Sequence, residues 1–138
     1  MASIDPVTLT ADSYDRSRFL TAQSSTYTDA LAELKAGQKR THWMWFIFPQ
    51  IEGLGTSATA KHYAIKTLDE ARAYFQHQVL GQRLLECTRA VNRLHGRSLM
   101  QIFGSPDHLK FCSSMTLFET VAGDHSEFTL ALDKYCAG

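Results

Sequence analysis

The sequence predicts a compact all-α domain of seven or eight short helices, and three observations carry that reading. Apolar residues recur at i, i+3 and i+4, as in Leu84, Leu85, Thr88, Val91 and Leu94. Most boundaries carry helix signals, with Ser, Thr or Asp before an apolar run and glycine after several of them. Consistent two-residue alternation with hairpin-turn residues, the mark of strands, occurs nowhere.

Residues 1–11 hold Pro6 and three Ser/Thr residues and read as a loosely held arm, with residues 12–138 as the helical domain. Asp12 or Ser13 is placed to cap a first helix carrying Tyr14, Phe19 and Leu20. Thr26 is placed to cap the next, where Tyr27, Ala30, Leu31 and Leu34 share a face until Gly37 ends it.

Residues 42–50, His42-Trp-Met-Trp-Phe-Ile-Phe-Pro-Gln50, hold both tryptophans, two phenylalanines and a histidine in nine positions. A surface helix or half-buried strand would leave that aromatic area in water. The stretch is therefore expected to be a buried central helix, enclosed on every side or lining a pocket, and to end about one residue before Pro49.

Glu52 to Gly55 reads as a glycine turn, and Ser57 as the start of a short helix through Tyr63. Thr67-Leu-Asp-Glu70 has the capping-box pattern and opens a helix with Leu68, Ala71 and Phe75 inward. Gly81 is expected to separate it from a longer helix that ends at Gly96. Ser98 to Phe103 makes one or two turns. Ser105-Pro106-Asp107 then opens a helix through Phe111, Cys112, Met115, Phe118 and Ala122 to Gly123. Asp124 with Glu127 reads as a second capping box, for a last helix with Phe128, Leu132 and Tyr135.

The bulk numbers bound the function classes. At 138 residues, 44% hydrophobic and 20% charged, the chain is long and apolar enough for a core without staples. Zero formal net charge offers no overall attraction to nucleic acid or an anionic membrane. The Lys35, Lys39 and Arg40 cluster and the run Arg83, Arg89, Arg93 and Arg97 read as solvated helix faces. Cys87, Cys112 and Cys136 form no C-x-x-C pair, and an odd count leaves at least one unpaired. They are expected to act as small core hydrophobes in a reducing cytoplasm. The first residues carry no signal-peptide pattern, which also fits a cytoplasmic protein.

The tempting motif Gly53-Leu-Gly55-Thr-Ser57-Ala58 matches G-x-G-x-x-A, but a dinucleotide site needs a central strand before it. Pro49 argues against such a strand. A more general reading survives, in which Gly53, Gly55, Thr56 and Ser57 offer N–H and hydroxyl donors to an anion. The plainer one is a tight turn and a helix cap. His42, Gln50 and the indoles of Trp43 and Trp45 need polar partners if buried, either within the core or from a ligand. Lys110 and Ser114, four apart, form a polar patch entering an apolar helix or simply its outer stripe. The six histidines show no metal-binding spacing, and no cofactor, P-loop or nucleophile motif is present.

Ala30-Leu-Ala-Glu-Leu-Lys-Ala-Gly37, Thr41 to Gln50, Gly53-Leu-Gly55, Leu80-Gly-Gln-Arg-Leu84, Ile102-Phe-Gly104 and Ser113-Ser-Met-Thr-Leu-Phe118 resemble the family called domain of unknown function 1810. The resemblance covers roughly residues 13–136 and implies a small, mostly helical bacterial protein. It carries no catalytic residues. A remoter likeness joins Lys61-His62-Tyr63, Leu80-Gly81, Leu109-Lys110-Phe111 and Met115-Thr-Leu117 to the NADAR superfamily of helical N-glycosidases acting on ADP-ribose-type substrates. There an acidic residue typically precedes the His-Tyr pair, and here that position is Lys61.

The expectation is a small-molecule binder for an anionic, nucleotide-like ligand of ADP-ribose type. Trp43, Trp45 and Tyr63 would supply the aromatic wall, and Gln50 a polar contact. Gly53, Gly55 and Ser57 would meet phosphate, and Lys110 with Ser114 would answer charge. His42 and Glu52 are the acid–base candidates if N-glycosidase-type hydrolysis follows. The rival expectation is a non-catalytic interaction or structural module with the aromatic block as pure core.

Overall fold

The structure, a computed structural model, describes residues 14–136. Its helices are α1 (Ser17–Ser24), α2 (Tyr27–Ala36), α3 (Met44–Ile47), α4 (Ala58–Tyr63) and α5 (Leu68–Gln76). They are followed by α6 (Gln78–Asn92), α7 (Leu99–Phe103), α8 (Asp107–Ala122) and α9 (Glu127–Ala131), which runs into a π-turn over Leu132–Cys136. The fold is all-α. Among the described residues, β pairing is confined to one isolated parallel bridge between Ile51 and Ile65. The expected arm over residues 1–11 lies outside the described residues, as do Asp12 and Ser13. Neither of these caps the helix carrying Phe19 and Leu20: it starts at Ser17, with Arg16 at the cap position and Tyr14 before it.

Helix α5 packs on both α6 and α8, α9 closes over α6 and α8, and α2 lies along α6. Two aromatic groups fill the interior. Phe48 meets Phe103 and Phe111 edge-on at 5.9 and 5.1 Å, and those two stack at 4.9 Å with Trp43 beside them. Phe19, Tyr74, Phe118 and Phe128 form the second, with centroids 4.9 to 5.9 Å apart in sequence. Such ring pairs add to the burial term because positive edges meet negative faces.

Within the aromatic run Trp43, Met44, Ile47 and Phe48 are buried and Trp45 and Phe46 only partly so, and the run coils for only one turn, α3. Phe48, at φ −123° and ψ 80°, has left the helix. Pro49 explains this, because its ring excludes the helical conformation from the residue before it.

Three further boundary expectations are corrected. Gly81 lies inside α6, not between helices; the break falls at His77, whose Nδ1 accepts from the Val79 and Leu80 N–H groups at 3.1 and 3.2 Å. A Cβ on Gly81 would sit 2.0 Å from the Phe75 carbonyl oxygen, so this glycine permits the close approach of α5 and α6. The cap of α9 is Ser126, not Asp124, and Glu127 instead accepts from Asn92 and Arg89. At Thr67 only half the capping box forms. Thr67 accepts from the Glu70 N–H at 3.0 Å, but the buried Glu70 carboxylate takes the Lys66 N–H and the Arg18 guanidinium, each at 2.8 Å. Arg18 also donates to the carbonyls of His62 and Ala64, so this pair ties α1 to the segment between α4 and α5.

Two of the three sulfurs depart from the expected thiol role. Cys112 and Cys136 form a disulfide joining α8 to the π-turn. Cys87 alone is a buried free thiol, and burial pushes its pKa up to about 12. No helix among the described residues is long and apolar enough to cross a membrane.

Candidate functional site

After α3 the chain makes an excursion that begins and ends at the same place. The Ile65 N–H donates to the Gln50 carbonyl at 2.8 Å, and the Glu52 N–H to the Ile65 carbonyl at 2.7 Å. Between these bonds lie the glycine turn and α4. Gly53 takes φ +98°, a region that favours glycine. A Cβ on Gly55 would come within 2.6 Å of the Ala60 Cβ, so only glycine lets the turn close on α4. Ser57 caps α4 by accepting from the Ala60 N–H at 3.1 Å.

This excursion and the start of α8 enclose a cleft. Trp45, Ile51, Leu54 and Tyr63 make its apolar walls, and Gln50, Glu52, Lys61 and Lys110 bring polar groups to it. The enclosed space is about 50 Å³. A single water needs roughly 10–15 Å³ on that measure, so the cleft takes a few waters or the edge of one planar ring. Larger, more open grooves adjoin it. Lys61 is shared with one of about 390 Å³ that also holds His62, Lys66 and Glu70. Trp45 and Tyr63 are shared with another of about 380 Å³, lined by His42 and Thr59.

The charge at the cleft is held in a chain. The Lys110 ammonium sits 5.1 Å from the centroid of the Trp45 ring and 3.5 Å from Asp107. The other Asp107 oxygen takes the Lys39 ammonium at 3.0 Å, and Lys39 in turn lies 5.2 Å from the centre of the Trp43 ring. One carboxylate thus spaces two lysines, each over an indole, where the ring quadrupole attracts a cation.

The expected site residues divide. Trp45, Gln50, Glu52, Gly53, Gly55, Tyr63 and Lys110 converge on the one cleft. Trp43 does not reach it: the residue is fully buried and its Nε1 donates to Glu33 at 2.9 Å. Ser57 is occupied as the α4 cap. His42 faces the neighbouring groove. Ser114 is fully buried, and its hydroxyl has no hydrogen-bond partner.

Sequence reasoning missed Lys61 and Asp107 at the cleft, and Glu33, which holds Trp43 away from it. Lys61 reaches the cleft from α4, and no spacing rule singles it out. Asp107 is three residues before Lys110, a spacing that places both on one helix face and could have paired them. Glu33 accepts from the Arg40 and Thr41 N–H groups, the Thr41 hydroxyl and the Trp43 indole. Burial pulls its pKa upward, but these four donors outweigh it and hold the carboxyl below its ordinary value. Among the described residues, no group of three or more His, Cys, Asp or Glu could hold a metal ion.

A family model described as protein of unknown function (DUF1810) matches residues 13–138. The crystal structure of the conserved hypothetical protein Rv1873 from Mycobacterium tuberculosis is similar, with a TM-score of 0.86 and 53% sequence identity. That match covers 88% of this chain and 86% of the other. Among curated proteins no match to the chain was found.

Proposed function

The chain belongs to the DUF1810 family, and we propose that its Trp45 cleft binds a small, ring-bearing anion of nucleotide type. One edge of the ring enters between Trp45 and Tyr63, and the bulk of the ligand lies outside the small enclosed space. Lys110 and Lys61 answer its negative charge, with Lys61 leading toward the adjoining groove. The observation that supports this reading is the meeting of aromatic walls, an amide and two lysines on one concave surface.

The test is a thermal-shift screen against nucleotides, ADP-ribose and related metabolites. A binder present at several hundred times its dissociation constant should stabilise the protein by roughly 3–4 kcal/mol. The shift should vanish in Lys110→Ala. A shift retained in that variant would place the binding elsewhere and reject the reading.

Hydrolysis of an N-glycosidic bond is the second reading, favoured by one observation: the Glu52 carboxylate lines the same cleft. There it would accept the proton of an attacking water as the base departs. His42 lines the neighbouring groove, which shares Trp45 and Tyr63 with this cleft. Chromatography of free base released from a panel of N-glycosides tests it, with Glu52→Gln expected to abolish release. No release by the unaltered protein would leave binding alone.

A further inference from the structure

Gln50 is pinned by its amide nitrogen. Nε2 donates to the carbonyl oxygens of Phe48 at 2.9 Å and Lys110 at 2.8 Å. Both neighbours accept only, so the amide has one favourable orientation, with nitrogen toward the two carbonyls and oxygen away from them. Oε1 is left shielded from solvent and without a hydrogen-bond partner, on a residue that lines the cleft.

The other polar groups of the cleft cannot read a ring edge in the same way. Lys61 and Lys110 are flexible point charges suited to an anion. Glu52 is exposed, and in water an acceptor discriminates weakly. Stacking against Trp45 or Tyr63 is indifferent to the substituent on the ring's edge. A shielded acceptor that cannot turn into a donor is therefore the selective element of the site.

We propose that Gln50 Oε1 accepts a hydrogen bond from an N–H or NH₂ group on the edge of the bound ring, which makes the ligand an amino- or carboxamide-bearing heteroaromatic. The inference rests on the binding reading above and goes further by fixing the ring chemistry. A ring offering a bare nitrogen or an ester oxygen at that edge would set lone pair against lone pair. A site built around a hydrogen bond rejects the analogue that lacks it.

The experiment uses two pairs of probes that differ in the donor: AMP against purine riboside 5′-monophosphate, and nicotinamide against methyl nicotinate. Affinities are measured by titration calorimetry, and Trp45 fluorescence, removed in Trp45→Phe, locates the site. The donor-bearing member of a pair should bind at least about tenfold tighter. In Gln50→Met that ratio should fall to near one. Should this variant fail to fold, the ratios in the unaltered protein still decide. Equal affinity within both pairs would overturn the role of Gln50 while leaving the binding reading standing. Binding of none of the four probes would overturn both.

Discussion

The indole Nε1 of Trp43 donates to Oε1 of Glu33 at 2.9 Å, joining the end of α2 to the entrance of the aromatic turn. Glu33 to Ala should therefore orphan a buried N–H and release the Arg40–Thr41 loop, with a loss of about 2–3 kcal/mol in urea denaturation at neutral pH. Because the folded protein holds this carboxyl below its ordinary value, its stabilisation is present above the unfolded pKa and is lost as pH falls through the lowered folded one. The gap between the unaltered protein and Glu33→Gln should accordingly shrink under acid conditions. A gap independent of pH would contradict the assignment.

Gly81→Ala separates helix propensity from packing. Propensity alone would stabilise α6 by about 1 kcal/mol. The added carbon would lie 2.0 Å from the Phe75 carbonyl oxygen, and that atom is backbone. The expected net result is a loss of about 2 kcal/mol or more, read as a lower unfolding midpoint.

The sulfurs should behave as two classes. Cys87 is fully enclosed with its pKa pushed up to about 12, so a thiol reagent at neutral pH should label it only on unfolding. Reducing the Cys112–Cys136 link, whose ends are 24 residues apart, should lower stability by about 3 kcal/mol from loop entropy alone. An unchanged midpoint in reductant would show that the link contributes nothing.

Lys110 and Gln50 should respond differently to truncation. The Lys110 side chain is 29% exposed, and its removal leaves Asp107 still paired with Lys39. Lys110→Ala should therefore cost under about 1 kcal/mol and alter Trp45 emission. Gln50→Ala strips the donor from two carbonyls and should cost about 1–3 kcal/mol in thermal or urea melts.

Much of the fold was legible because it is written in local chemistry. The end of α2 at Gly37 and the cap at Ser57 both depend on residues within four positions. The misreadings share a cause. Gly81 looked like a breaker because its reason for being glycine, the Phe75 backbone, lies in another helix. Glu127 resembled a capping acid but is claimed by Arg89 and Asn92 across the bundle. The cleft was partly legible, since Trp45, Gln50 and Glu52 are close in sequence. The division between Trp43 and Trp45 was not, because a one-turn helix shows its two indoles to different surroundings, and spacing does not say which faces inward.

The bridge at Ile51 and Ile65 has one further consequence. It staples the base of a thirteen-residue insert, residues 52–64. The bundle also grips the insert's far end through Arg18 and the rings of Phe19 and Phe46, while the stretch 52–59 is largely exposed and forms a cassette of its own. Mutation could rewrite that cassette, and with it part of one wall of the hollow, while the helices below keep their registry. A scaffold arranged in this way can change what it recognises without having to refold.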